Sequence, residues 1–282
     1  MSVAYQVQVM ETYCDTENKE IREKTLNLIT HIELETACKS DVHALIPAIK
    51  STEGRGLAPD EILADSLYGS DENCEMATEM GIKFVSPTMG TPKKDMLCLS
   101  EFSFSDSEVV IACPEGHAPV TTKHKKGRYT AGFSHAHCSV CPLKATCPAK
   151  DGKNHRYLHD DDKARRVAIR RGYEHTDAFK EKYRWRSGIE ATMSEYNRKT
   201  GVKRLRVRGF GAVRLCVLLK AISINIFRAT AVRKAINTIG GTPWNEKTAL
   251  DCVILVFKEL SEIIWKRLEQ IFNIRSASMV TN

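Results

Sequence analysis

Four cysteines in this 282-residue chain form one cluster, Cys113, Cys138, Cys141 and Cys147, in the pattern C-x24-C-x2-C-x5-C. A C-x2-C step lets two thiolates reach one tetrahedral ion, and two more close its shell. The pattern predicts a structural Zn²⁺, because four thiolates leave no open position for a substrate. His117, His135 and His137 are near enough in sequence to replace a thiolate. Unliganded, reduced thiols are the plain alternative. The other six cysteines (14, 38, 74, 98, 216 and 252) are scattered, mostly among apolar neighbours. They read as small buried hydrophobes, reduced.

Two carboxylates stand in ordered polar settings. Asp65 ends the short apolar run Glu61–Ala64 and is followed by Ser-Leu-Tyr-Gly-Ser-Asp-Glu-Asn. A carboxylate at the carboxyl end of a strand is well placed for a cleft. Ser70 or Asp71 can cap the next helix, which leaves Asp65 without a structural task. Glu190 follows Tyr183 and Arg186 by seven and four residues and precedes Asn197 by seven. On one continuous helix these four side chains share a face. The plain alternative is an exposed helix with a weak Arg186–Glu190 ion pair.

The elements that would hold these groups can be read from periodicity. Val3 to Met10 alternates as a half-buried strand, and Asp15 to Lys24 reads as an exposed hairpin loop. Leu26 to Leu34 is the next strand. Ser40-Asp41 opens a helix, and Gly54, Gly56 and Pro59 turn the chain into the strand ending at Asp65. A helix over about 70–80 and a strand at Phe84–Pro87 complete a mixed α/β sheet. From Gly90 to Gly152, Gly, Pro, Lys, His and Cys dominate. This reads as an insertion too loop-rich to hold itself together by burial, so that zinc supplies the folding energy. From Asp160 the chain is helical: one helix from the Thr176-Asp177 cap to about Lys199, stopped by Gly201, then a basic loop, then an apolar helix over Ala212–Arg228. Between Leu250 and Ile271 apolar residues at three- and four-residue steps predict a helical tail. It packs on its own domain or on a partner subunit in a homodimer. The expected segments are 1–95, 96–152, 153–235 and 236–282.

Charge divides the chain. Lys and Arg total 42 against 35 Asp and Glu, a net +7. The stretch Lys163–Lys234 carries 20 basic and 5 acidic residues, so the remainder is acidic. A field of this kind suits a polyanion, with nucleic acid the obvious partner. The longest apolar run, Leu215–Phe227, is broken by Lys220 and is shorter than a bilayer span, so no membrane partner is expected. The start, MSVAYQVQVMETYCD, lacks the pattern of a secretory signal, so the cytoplasm is the expected compartment.

Together LADSLYGSDEN, YRWRSGIEATMSEYNRKTG and VKRLRVRGFGAVRLCVLLKAISINIFR resemble the catalytic half of bacterial insertion-sequence transposases of the DDE type, over roughly Ala4 to Arg228. Tyr183, Arg186 and Glu190 match a Tyr-x2-Arg-x3-Glu-x6-Lys signature, with Asn197 in the Lys position and Arg198 and Lys199 beside it. A Cys-rich insertion between the second Asp and the Glu recurs in one branch of that family.

The resemblance implies a ribonuclease H-like fold, a mixed sheet flanked by helices. In it three carboxylates hold two Mg²⁺ or Mn²⁺ ions. Asp65 and Glu190 match the second and third. Glu11, at the end of the opening strand, is chosen for the first, with Asp15 the next acid along. Two ions about 3.5–4 Å apart activate the attacking oxygen and stabilise the leaving one. Tyr183, Arg186, Asn197, Arg198, Lys203, Arg204, Arg206 and Arg208 are the expected contacts to double-stranded DNA at transposon ends and target. Family members usually carry an N-terminal end-recognition region ahead of the first strand, and so a truncated copy is expected. The alternatives are a non-enzymatic zinc-stabilised DNA-binding protein and a nuclease that only hydrolyses.

Overall fold

The computed structural model describes residues 4–238 except 93 and 106–108. Cys252 and the expected helical tail from residue 239 onward lie outside the described residues. In chain order the elements are β1 (Tyr5–Glu11), α1 (Lys19–Lys24), β2 (Ile29–Thr36), α2 (Leu45–Glu53), β3 (Glu61–Leu63), α3 (Asp71–Glu79), β4 (Lys83–Val85), β5 (Ser103–Phe104), β6 (Val110–Ala112), β7 (Thr121–Lys125), β8 (Arg128–Ser134), α4 (His135–Ser139), β9 (Lys150–Asp151), β10 (His155–Asp161), α5 (Asp162–Glu174), α6 (Asp177–Tyr183), α7 (Ser187–Thr200) and α8 (Phe210–Thr238). They form a mixed α/β structure of two compact units. One holds the described parts of 1–40, 47–59 and 187–238; the other holds 41–46 and 60–186.

The first unit is an antiparallel β1–β2 ladder against α7 and α8. Val7 pairs with Leu34 and Val9 with Ile32, and the ladder is irregular at Met10–Glu11. Ile29, Tyr196, Ala221 and Ile224 make one apolar cluster, and Leu34, Val213 and Val217 another. The Tyr196 hydroxyl, inside the core, donates to the Val217 carbonyl at 2.6 Å. Asn225 docks α8 onto the start of β2. Its amide oxygen accepts from the Ile29 N–H and its amide nitrogen donates to the Ile29 carbonyl, both at 2.9 Å.

In α8 the apolar run extends well past Leu215–Phe227. Over Phe210–Ile236 it is long and apolar enough to cross a membrane by length and composition, which corrects the shorter stretch expected. One side of it packs on β2 and α7, while Leu219, Ile226 and Phe227 are exposed.

The second unit contains a short parallel β3–β4 pair, a small β5–β6 pair and an antiparallel sheet in the order β7-β8-β10-β9. The single mixed sheet expected from the first ninety residues is instead two two-stranded pairs, β1–β2 and β3–β4, among the described residues. Strands β3 and β4 have only three residues each, and Gly56, Pro59 and Pro87 bound them, so their ladder has little length over which to grow.

The Cys-rich segment also differs from expectation. It carries its own apolar core, with Phe102, Val110, Ala131, Phe133, Ala149 and Leu158 all buried. Burial of these side chains, with Leu158 supplied by β10 beyond the segment, contributes cohesion alongside the thiols. Residues Lys19–Lys24, expected as loop, form α1, because Asn18 caps it by accepting from the Glu20 and Ile21 N–H groups.

Candidate functional site

Asp65 follows β3 in the second unit and is half exposed. Ser70 caps α3, as the sequence allows, by accepting from the Asn73 N–H. Asp65 nonetheless has a local task. Its carboxylate accepts from the Ser66 N–H at 2.7 Å and caps the 3₁₀ turn Ser66–Tyr68. The other carboxylate oxygen lies 3.5 Å from the Arg186 guanidinium. Arg186 in turn sits 5.8 Å from the Tyr183 ring centroid, and Tyr183 stacks on Phe179 at 5.2 Å. Two members of the Tyr-x2-Arg-x3-Glu spacing are therefore built into one cluster with Asp65.

The single helix expected over Tyr183–Asn197 is broken. Thr176 caps α6, which ends at Tyr183; a 3₁₀ turn covers Arg184–Arg186, and α7 restarts at Ser187. Ser187 and Gly188 are weak helix formers, and a 3₁₀ turn is a common way to end a helix. Tyr183 and Arg186 therefore belong to the second unit, whereas Glu190, exposed in the first turn of α7, and Asn197 belong to the first. Gly201 stops α7 with φ 64°, and the exposed Arg198, Lys203, Arg204, Arg206 and Arg208 follow the expected basic segment.

Glu11 ends β1 and is mostly buried. Its Oε2 accepts from Arg228 at 2.9 Å and from the Thr192 hydroxyl at 2.5 Å. Arg228 also donates to Glu195 Oε2 at 2.9 Å and to the Asn27 carbonyl at 3.2 Å. Lys199 and Arg228 together hold Glu195 below the usual carboxylate range against the opposing effect of its burial. The fixed guanidinium already supplies the cation that Glu11 needs, so this carboxylate fits a divalent ion poorly. Sequence reading missed Arg228, Thr192 and Glu195; the available signal was an arginine directly after the apolar stretch Ala221–Phe227.

Cys113, Cys138, Cys141 and Cys147 line a single cavity, joined by His117 and His137. The Cys113–His117 segment closes as a tight turn, with the Cys113 N–H donating to the His117 carbonyl at 2.9 Å. The His117 and His137 rings stack at 4.2 Å, while His135 reaches the Gly152 carbonyl instead. Burial pushes the Cys138 thiol up; Arg156 opposes this, and Cys147, Cys141 and Cys113 each add to it. These soft donors fit Zn²⁺ in type and number. Among the described residues, however, no group of three or more His, Cys, Asp or Glu side chains is close enough to hold a metal as the side chains now stand.

No curated protein and no solved structure matches the chain. Residues 112–230, under half of its length, match the family model of a transposase DDE domain, a span that takes in the cysteine cluster, Tyr183, Arg186, Glu190 and the basic loop and leaves out Glu11 and Asp65.

Proposed function

We propose that the chain is the catalytic part of a DNA transposase that cuts and joins phosphodiesters at transposon ends. The family match over 112–230 carries this reading, and the Arg186–Asp65 cluster supports it from outside the matched span. The proposed fold is ribonuclease H-like; the order β1–β2 hairpin, α2, β3, α3, β4 is compatible with it. Asp65 and Glu190 are the carboxylates offered to divalent ions, Mg²⁺ or Mn²⁺, which as hard cations take carboxylate and phosphate oxygens. Such ions supply activation of the attacking oxygen and stabilisation of the leaving one. Arg186 fixes a phosphate, Tyr183 backs Arg186, and Asn197, Arg198, Lys203, Arg204, Arg206 and Arg208 track the DNA backbone. Cys113, Cys138, Cys141 and Cys147 hold a structural Zn²⁺. The proposed setting is the bacterial cytoplasm, on double-stranded DNA, with a homodimer as the assembly to test.

The deciding experiment is metal-dependent nicking and strand transfer on end-bearing duplexes by the wild-type chain, Asp65→Asn and Glu190→Gln. Calorimetric Mn²⁺ titration of the same three proteins accompanies it. Nicking and Mn²⁺ uptake lost in both variants support the reading. Hydrolysis without joining selects the nuclease alternative. Duplex binding with no metal-dependent chemistry selects the zinc-stabilised DNA binder, a reading favoured by the Arg228 guanidinium on Glu11.

A further inference from the structure

The outer face of the β7-β8-β10-β9 sheet has no role in the site above. Register fixes who shares it. Tyr157 and His159 on β10 lie opposite Gly132 and Thr130 on β8, and Lys123 and Lys125 on β7 lie opposite Thr130 and Arg128. The alternate residues, Leu158, Ala131 and Phe133, turn into the core. The outer face is therefore a platform backed by packed side chains.

Tyr157 is seated by two glycines. A Cβ at Gly132 would come within 3.1 Å of its ring, and one at Gly152 within 2.5 Å. A larger residue at Gly152 would displace the ring, and one at Gly132 would meet the Thr121 hydroxyl at 2.6 Å and crowd the ring. Beside it the His159 ring stacks at 6.1 Å with an interplanar angle of 23°, and its Nδ1 is held 3.0 Å from the Thr130 hydroxyl. Lys123, Lys125, Arg128 and His159 are exposed. The strand residue Asp161, opposite Arg128, is occupied in capping α5 through the Ala164 N–H. The sequence holds no acidic residue between Glu115 and Asp151.

Aligned aromatic faces flanked by cations are what a single strand needs. Its unpaired bases have free π faces, and its phosphates need a basic track. A duplex keeps those π faces buried in its own stack and cannot use the platform in this way. We propose that this face binds single-stranded DNA, with bases on Tyr157 and His159 and phosphates on Lys123, Lys125 and Arg128. The choice of DNA rests on the transposase reading, since opening of an element end supplies unpaired strand.

The test is fluorescence anisotropy of the full chain with a labelled oligo-dT and with a duplex of equal length, across a salt series. Tyr157→Ala should weaken oligo-dT binding about tenfold or more, Tyr157→Phe should restore it, and duplex binding should change little. Lys123→Gln, Lys125→Gln and Arg128→Gln combined should lower the slope of log affinity against log salt for oligo-dT by about 2. These three and Tyr157→Phe are surface changes that leave the fold in place even if Tyr157→Ala does not fold. If the wild type binds neither probe, the DNA reading of the whole chain fails. If it binds DNA, but the cation variant keeps the wild-type slope and Tyr157→Ala keeps the wild-type affinity, this inference alone fails.

Discussion

The Arg186 guanidinium stands 3.5 Å from the Asp65 carboxylate, so the arginine of the Tyr-x2-Arg spacing rests on the acid that follows β3. With Asp65 half exposed, the pair contributes under about 1 kcal/mol to stability. On the proposed function a divalent ion would compete for Asp65 and a DNA phosphate for Arg186, so that substrate and metal together would replace the pair. Asp65→Asn and Arg186→Ala should each leave the urea midpoint almost unchanged. Each should lower metal-dependent nicking by about a hundredfold or more. A large loss of stability with nicking retained would make the contact purely structural.

Arg228 joins Glu11, Thr192 and Glu195 through one guanidinium. Both partners of the Arg228–Glu11 pair are mostly buried, at 16 % and 10 % side-chain exposure. Removing the arginine strands the Glu11 carboxylate away from water, while Glu195 keeps Lys199 at 2.6 Å; the loss is about 3–5 kcal/mol for a buried pair. Arg228→Met should therefore unfold the first unit at clearly lower urea, and Glu11→Gln on that background should recover part of the loss. A double-mutant cycle by equilibrium denaturation gives the coupling. Additive effects would mean that the network is incidental.

Local signals in the sequence carried most of the elements. Alternation marked β1, the Ser70 and Thr176 caps marked α3 and α6, and Gly201 marked the end of α7. Long-range partners were not legible. Asn225 lies in the apolar run of α8, and nothing local says that it clamps Ile29 from 196 residues away. The core of the Cys-rich segment was also hidden. Its six buried residues are spread over three strands, β6, β8 and β10, and two loop positions, Phe102 and Ala149, so no window shows a period. The break between α6 and α7 was legible only as the Ser187-Gly188 dipeptide, which the surrounding helical pattern outweighed.

His31, on β2 opposite Met10, is held to a pKa of about 4 against an ordinary 6.5, by burial first and then by Arg55 and Arg214. The folded-state value is depressed, so the neutral ring is the native form. Stability is full above pH 6.5 and is lost as the pH falls through about 4. The loss over that window is roughly 3 kcal/mol. The urea midpoint of the wild type should fall between pH 6.5 and 4, and His31→Gln should flatten that fall. Parallel curves for the two proteins would show that other groups cause the acid sensitivity.

The cysteine cavity separates two ways in which a metal can matter. The sequence favours a module that folds only around its ion, whereas Phe102, Val110, Phe133 and Leu158 form an apolar core beside the thiols. The purified chain should carry one zinc by elemental analysis, and Cys138→Ser and Cys141→Ser should each lose it. Chelation should lower the melting temperature by several degrees yet leave the far-UV strand signal of the β7-β8-β10-β9 sheet. Complete unfolding on chelation would show that the apolar cluster is too small to stand alone. A full zinc complement in both serine variants would move the site to other donors, with His117 and His137, which line the same cavity, the first to test.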